Sequence, residues 1–354
     1  MNSPKNILLA FDWLKKAQDQ THCGGVAAWY TLYSGWGHPY LETTGYIINT
    51  FLAGAIYFKD KDLEKRALQM ADFLLEWQHP SGGFYSKTDT SSQPVVFDTG
   101  QDLIGLADIF NLTKNRKYLD SCLKAADFLC DIQEIDGSWL RYAYGNEKHS
   151  YTSRVAWSLL KVWQISHHEK YKLAAIKNLN WTLKQQLPNG WFTHNNFPPP
   201  NFPLPYTHNI SYAIEGLWYS GLILHEPKYL LSALKPSLFL ANYYLAHNFL
   251  PSTFDRNWQS QDKYSCLTGD AQLAIMWLEI YEKTKHENFL TAARRMNAYL
   301  KSKQRQGALA GSDPLWGDLL ANRGYCRLAY LNWATKFFID SLLLEEKIMQ
   351  SYEN

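Results

Sequence analysis

The chain has 354 residues and a mass of 41.0 kDa, and its 35 Lys+Arg against 33 Asp+Glu leave a formal charge of +2. No long Lys/Arg run occurs, which argues against nucleic acid or an anionic membrane surface as the main partner, since both are read by clustered basic charge. Hydrophobic residues at 46% and charged ones at 19% exclude a disordered chain, and the 14 Trp, 23 Tyr and 17 Phe exceed the needs of a core, as in proteins that line a concave site with flat rings.

In chain order, the first segment, MNSPKNILLAFDWLKK, mixes charges into a short apolar stretch. It reads as an amphipathic helix rather than a signal peptide. Two kinds of helix then alternate. One kind ends on Gln, five residues beyond an aromatic: AFDWLKKAQ (10–18), MADFLLEWQ (70–78), AADFLCDIQ (125–133), NLNWTLKQQ (178–186) and RMNAYLKSKQ (295–304). LFLANYYLAHN (238–248) is a weaker copy without the Gln. Lys and Glu on one face make these outer helices. Three copies run on into Gln-x-x-x-Gly and an aromatic, at Gln78/Gly82, Gln133/Gly137 and Gln186/Gly190. Gly leaves a helix through a left-handed turn, and Gln can tie down the groups left open there.

The other kind is nearly apolar all round, as expected of inner helices. Each opens on a motif such as Thr44-Gly-Tyr46, Thr99-Gly-Gln101, Thr152-Ser-Arg154 or Thr268-Gly-Asp270, in which Thr reads as an N-terminal cap. Inner helices are expected to begin near 43, 98, 151, 209, 268 and 332. Turns from inner to outer helix are short, whereas the returns (20–42, 79–97, 134–150, 187–207, 249–266, 305–329) are long and rich in Gly, Pro and aromatics. Six hairpins with no dividing linker predict one all-α domain over 1–354, an (α/α)6 toroid whose long loops share one rim with six positive helix N-termini.

That pattern resembles the six-hairpin superfamily of carbohydrate-active enzymes, in particular unsaturated glucuronyl hydrolases, with sugar epimerases and the toroids of polysaccharide lyases beside them. The staples also resemble those of class II terpene cyclases, whose Asp-x-Asp-Asp segment is not found here. The resemblance implies a glycoside hydrolase acting on short, uronate-containing or neutral oligosaccharides, needing no metal or organic cofactor. Uronate epimerase or lyase chemistry through Tyr and His is the alternative, and a non-catalytic glycan- or protein-binding toroid is the rival of another class.

Catalysis of this kind needs a proton donor and a base. The candidates at the inner-helix starts are Asp98, Asp270, Asp102 and Glu42, with Tyr212 and His208 for the alternative chemistry. Asp98 and Asp102 stand four apart on one helical face, although Asp98 also reads as an N-cap. Asp270 fills the variable slot of its motif and is the favoured lumen carboxylate. In the resembled hydrolases an Asp near an inner-helix start protonates a vinyl ether, and Asp98 and Asp270 match it by position. Arg154 is the candidate uronate clamp or else a buried ion-pair partner of Asp98 or Asp270, and Glu215 reads as a buried partner of Arg154 or Lys336. Tyr46, Gln101, Tyr151, Asn209 and Lys336 are further binding candidates, Lys336 alternatively neutralising Asp340. Trp36, Trp258, Trp316 and Tyr325 in the rim loops are candidate sugar platforms, while Trp139 and Trp191 read as part of the staples. The stiff segment 197–206 reads as one wall of the funnel. Five cysteines without a Cys-x-x-Cys pair, and no apolar run of membrane-spanning length, lead to the expectation of a cytoplasmic protein.

Overall fold

A computed structural model describes residues 3–197 and 204–353. Among them are twelve α-helices: α1 (Ser3–Asp19), α2 (Leu41–Phe58), α3 (Lys61–Glu76), α4 (Val96–Thr113), α5 (Arg116–Asp131), α6 (Ser153–Ser166), α7 (Glu169–Lys184), α8 (Thr207–Leu224), α9 (Pro227–His247), α10 (Leu267–Thr284), α11 (Glu287–Lys303) and α12 (Asn332–Glu353). The six even-numbered helices pack each against the next, and α12 packs back on α2, closing an inner ring. The odd-numbered helices form the outer ring, with α1 set against α12. The expected (α/α)6 toroid is present, and its inner helices start within two residues of the expected positions.

The Gln staple does more than finish a helix. Gln78 Nε2 donates to Gly82 O at 2.7 Å in its own loop and to Ser121 O at 3.0 Å in the next outer helix. Gln133 does the same to Gly137 O and Ala174 O, and Gln186 to Gly190 O and Ser232 O. Gln18 and Gln304 repeat the pattern, Gln304 reaching Asn6 O and so joining the last outer helix to the first. One amide therefore satisfies a loop carbonyl and locks neighbouring hairpins. The glycine is obligatory: Gly82 has φ +101°, and a Cβ there would sit 2.3 Å from Lys124 O. The outer helix α9, whose sequence lacks the Gln, ends instead on Asn248 in a left-handed turn.

Thr44, Thr99 and Thr335 are not caps, because each is the fourth residue of its helix. Their hydroxyls instead accept from the backbone N–H of Val26, Phe84 and Leu309, pinning the incoming long loop to the inner helix. Strand β1 (Trp29–Thr31) pairs antiparallel with β2 (Gly35–Trp36), and residues 329–331 pair with β1 from the other end of the chain. That small sheet and the Asn332 bond to Thr43 Oγ1 at 2.8 Å close the ring on the rim side. Most of the Pro-rich segment 197–206 lies outside the described residues. No helix of the described residues is long and apolar enough to cross a membrane.

Candidate active site

Five of the six inner helices point the same position inward, so the lumen is layered. The sixth residues of α2, α4, α8, α10 and α12 are Tyr46, Gln101, Tyr212, Gln272 and Phe337, and α6, preceded by a 3-10 turn at Ser150–Thr152, contributes Arg154. These meet across the axis. The Arg154 guanidinium lies 4.8 Å from the Tyr212 ring and 5.6 Å from the rings of Tyr46 and Phe337. Its Nε donates to Gln101 Oε1 at 2.6 Å, and it is ion-paired with buried Glu215. This layer seals the axis.

Above the seal, toward the long loops, Glu42 and Asp98 occupy the first turns of α2 and α4. Two phenols from the long loops join them. Tyr40 donates its hydroxyl to Glu42 Oε2 at 2.6 Å, Tyr144 donates to Asp98 Oδ1 at 2.6 Å, and the two hydroxyls are 3.3 Å apart. Both carboxyls are buried. Burial pushes Glu42 up to about 7, against the bonds from Tyr40 and the charge of Arg154. Burial, reinforced by the charge of Glu42, holds Asp98 well above the usual carboxylate range. Burial likewise raises both phenols, keeping them neutral donors. The second oxygen of Asp98 and the hydroxyl of Tyr151 are buried without a protein partner, an expensive arrangement unless something else binds there.

A second chain of polar groups starts at His208. Glu215, an acceptor held by Arg154, takes a hydrogen bond from Gln272 Nε2 at 2.9 Å. Gln272 must therefore turn its carbonyl to His208 Nδ1, 2.6 Å away. His208 carries its proton on Nδ1, and Nε2 holds the lone pair. Burial, with Arg154 adding to it, depresses its pKa to about 3, so the ring is a neutral base. The ring lies among Tyr212 at 4.3 Å, Tyr325 at 5.5 Å and Phe197 at 6.4 Å.

Of the residues expected at the site, the structure brings together Glu42, Asp98, Tyr151, His208 and Tyr325 at the head of the lumen, with Tyr46, Gln101, Arg154 and Tyr212 in the layer beneath. Asp98 is not an N-cap; that position is Val95. Others go elsewhere. Asp270 is the fourth residue of α10 and takes the place of Thr44 and Thr99; its carboxyl lies by Ser265 and Asp313 and near the phenols of Tyr244 and Tyr299 in the outer helices. Asp102 is wedged between inner helices, beside Gly45, where a Cβ would stand too close to its carboxyl for any side chain larger than hydrogen. Asn209 accepts from the backbone N–H of Tyr206 and finishes the start of α8. Lys336 bonds Asp340 at 2.5 Å below the seal, and Arg154 is committed to Gln101 and Glu215 rather than free to clamp a uronate.

The tryptophans divide as well. Trp258 is buried, stacked on Phe239 at 4.6 Å with its Nε1 donating to Asn189 O, so it is packing and not a platform. Trp36 packs on Trp13 of α1 at 5.0 Å, away from the lumen. Trp316 remains half exposed on the rim. Trp139 is fully buried, its Nε1 donating to Leu129 O at 2.8 Å, as read from the sequence. Tyr40 and Gln272 are members of these two hydrogen-bonded chains that the sequence did not single out: Tyr40 lies in a loop, and Gln272 shows only once α10 is set in register with α2. Among the described residues no three His, Cys, Asp or Glu side chains gather as a metal-binding set.

Several solved structures share this fold. An unsaturated glucuronyl hydrolase specific for heparin superposes with a TM-score of 0.76 at 15% identity, covering 98% of each chain. The cellobiose 2-epimerase of Bacillus thermoamylovorans B4167 gives 0.72 at 14% identity, over 94% of this chain and 95% of its own. The unsaturated glucuronyl hydrolase of Bacillus sp. GL1, responsible for the degradation of glycosaminoglycan, gives 0.69 at 14%, over 96% and 94%. Comparison with curated proteins finds no matching sequence. The family model of the squalene-hopene cyclase C-terminal domain matches residues 36–219, more than half of the chain and the stretch that holds three of the Gln staples, and the protein belongs to that family.

Proposed function

We propose that the protein is a carbohydrate-active enzyme, a glycoside hydrolase acting on short oligosaccharides at the head of the lumen. The observation that carries this reading is the Glu42–Tyr40–Tyr144–Asp98 chain: two buried carboxyls joined through two phenols, each pushed to a different protonation behaviour. Glycoside hydrolysis asks for that division of labour. Asp98, kept protonated, is the proton donor to the leaving oxygen. Glu42, with its pKa about 7, is the group poised to take a proton from water. The unpartnered hydroxyl of Tyr151 is a hydrogen-bonding group for the sugar. The sugar-handling enzymes named in the structural likenesses support the substrate class, and the commitment of Arg154 to Glu215 weighs against a required uronate.

A second reading has one specific observation behind it. Neutral His208 keeps the Nε2 lone pair free, the form of the ring that an epimerase or lyase base requires, with its basicity lowered by burial. The two readings separate in deuterated water. Incubating the protein with a panel of oligosaccharides and following the products by NMR and mass spectrometry should give new reducing ends and no carbon-bound deuterium. Uncleaved sugar carrying one deuterium on carbon would replace hydrolysis by epimerisation through His208. A panel returned unchanged and unbound would leave a toroid that acts on another partner.

A further inference from the structure

Below the Arg154 seal the lumen opens again. A chamber of about 150 Å³ is lined by Asn49, Trp157, Glu215, Tyr219, Lys336 and Asp340 among others. Asn49, Tyr219 and Asp340 also line a cavity of about 620 Å³ at the short-turn mouth of the toroid. Three ion pairs step down this passage: Arg154–Glu215 at its roof, Lys336–Asp340 at 2.5 Å, and Lys161–Asp108 at 2.7 Å. Side-chain exposure rises from 3% at Arg154 to 29% at Asp108, so the passage is open toward the short turns and shut toward the carboxyl layer.

Its chemistry is specific. Each of the three cations already faces a carboxylate, so a charged ligand would leave one partner of a pair uncompensated. Asn49 donates through Nδ2 to Asp108, while its Oδ1 is buried with no protein partner. A hydroxyl both donates and accepts, so a polyol can bridge ammonium and carboxylate at once and also donate to that orphaned carbonyl. Trp157 and Tyr219, stacked at 4.6 Å and 25°, give the same space a flat apolar wall. We propose that this passage is a second ligand site, for a small uncharged molecule of the monosaccharide class, entered from the short-turn face and separate from the carboxyl site. It does not rest on the reaction proposed above, since it uses neither Glu42, Asp98 nor His208.

The test reads Trp157. With 15N-labelled tryptophan, its indole resonance is assigned from Trp157→Phe and followed as D-glucose is added to the full chain. A saturable shift is expected in the wild type and in Asp98→Asn, weakened at least about tenfold in Asn49→Leu. Lys161→Met gives the same readout from the other side of the passage if Asn49→Leu does not fold. The proposal falls if no saturable shift is seen, if the shift survives in the folded passage variants, or if Asp98→Asn abolishes it, which would place the sugar above the seal. It also falls if D-glucuronate or D-glucosamine binds about tenfold more tightly than glucose, since the passage would then favour charge. Turnover is read separately: hydrolysis without a Trp157 shift removes this site alone, and a shift without hydrolysis leaves it standing.

Discussion

Replacing Glu42 with Gln should change how stability depends on pH, in a direction fixed by the site's geometry. In the folded chain burial raises Glu42 to about 7, from an ordinary 4.5. A carboxyl with a raised folded pKa favours the folded state most below its unfolded pKa, and that contribution is lost as pH rises through the folded value. The window therefore runs from about pH 4.5 to 7. A difference near two and a half units corresponds to about 3 kcal/mol that the wild type forfeits across it. Gln keeps a carbonyl for the Tyr40 hydroxyl and removes the titration. Urea unfolding of both proteins at several pH values reads the difference. Relative to wild type, Glu42→Gln should gain about 3 kcal/mol between pH 4 and pH 8.5. Asp98 and Asp102, which the Glu42 charge helps to raise, are raised less in Glu42→Gln, so their change runs in the same direction, and the remaining buried carboxyls cancel. Parallel curves for the two proteins would refute the claim that Glu42 is buried and titrates near neutrality.

Three further outcomes test other parts of the structure. Gln133→Ala removes the bonds to Gly137 O and Ala174 O and should cost about 1–2 kcal/mol in denaturant unfolding; no loss would mean that the staple does not hold neighbouring hairpins together. His208, with its pKa depressed by burial to about 3, should show ring-proton NMR signals that do not titrate between pH 5 and 8; a wild-type midpoint near 6.5 would contradict the burial of the ring among Tyr212 and Tyr325. Trp258→Ala should destabilise by about 3–5 kcal/mol, as for a buried aromatic, and Trp316→Ala by less than about 0.5 kcal/mol; equal effects would contradict the assignment of Trp258 to the packed wall.

The architecture was legible because it is written six times. Three Gln-x-x-x-Gly segments, and the alternation of helices with and without a charged face, give the ring its order and put the long loops on one rim. The site was legible only in part. Thr268-Gly269-Asp270 looks like Thr44-Gly45-Tyr46, yet α10 starts so that Asp270, not Thr268, falls in the fourth position and faces outward, and Gln272 takes the lumen. A two-residue slip of this kind turns a helix by more than half a revolution, and nothing in either tripeptide marks it. Just before α10, Ser265 and Cys266 pair with Asp313 and Ser312 from another loop, a contact between residues distant in sequence. Tyr40 and Tyr144 reach the carboxyls from loops, where no periodicity fixes the direction of a side chain. The fate of Trp258 depends on Phe239 of the preceding helix and on the Asn189 carbonyl from an earlier loop.

The central claim is that Asp98 donates the proton while Glu42 supports it. It is tested most directly by measuring turnover and substrate binding of Asp98→Asn on an oligosaccharide that the wild type cleaves. Asn is nearly the same shape and still accepts the Tyr144 hydroxyl, so the fold and the binding constant should persist. Turnover should fall by about 10²–10⁴-fold, the range for losing a general acid. Full turnover in Asp98→Asn with unchanged binding would contradict the assignment and move the chemistry to His208.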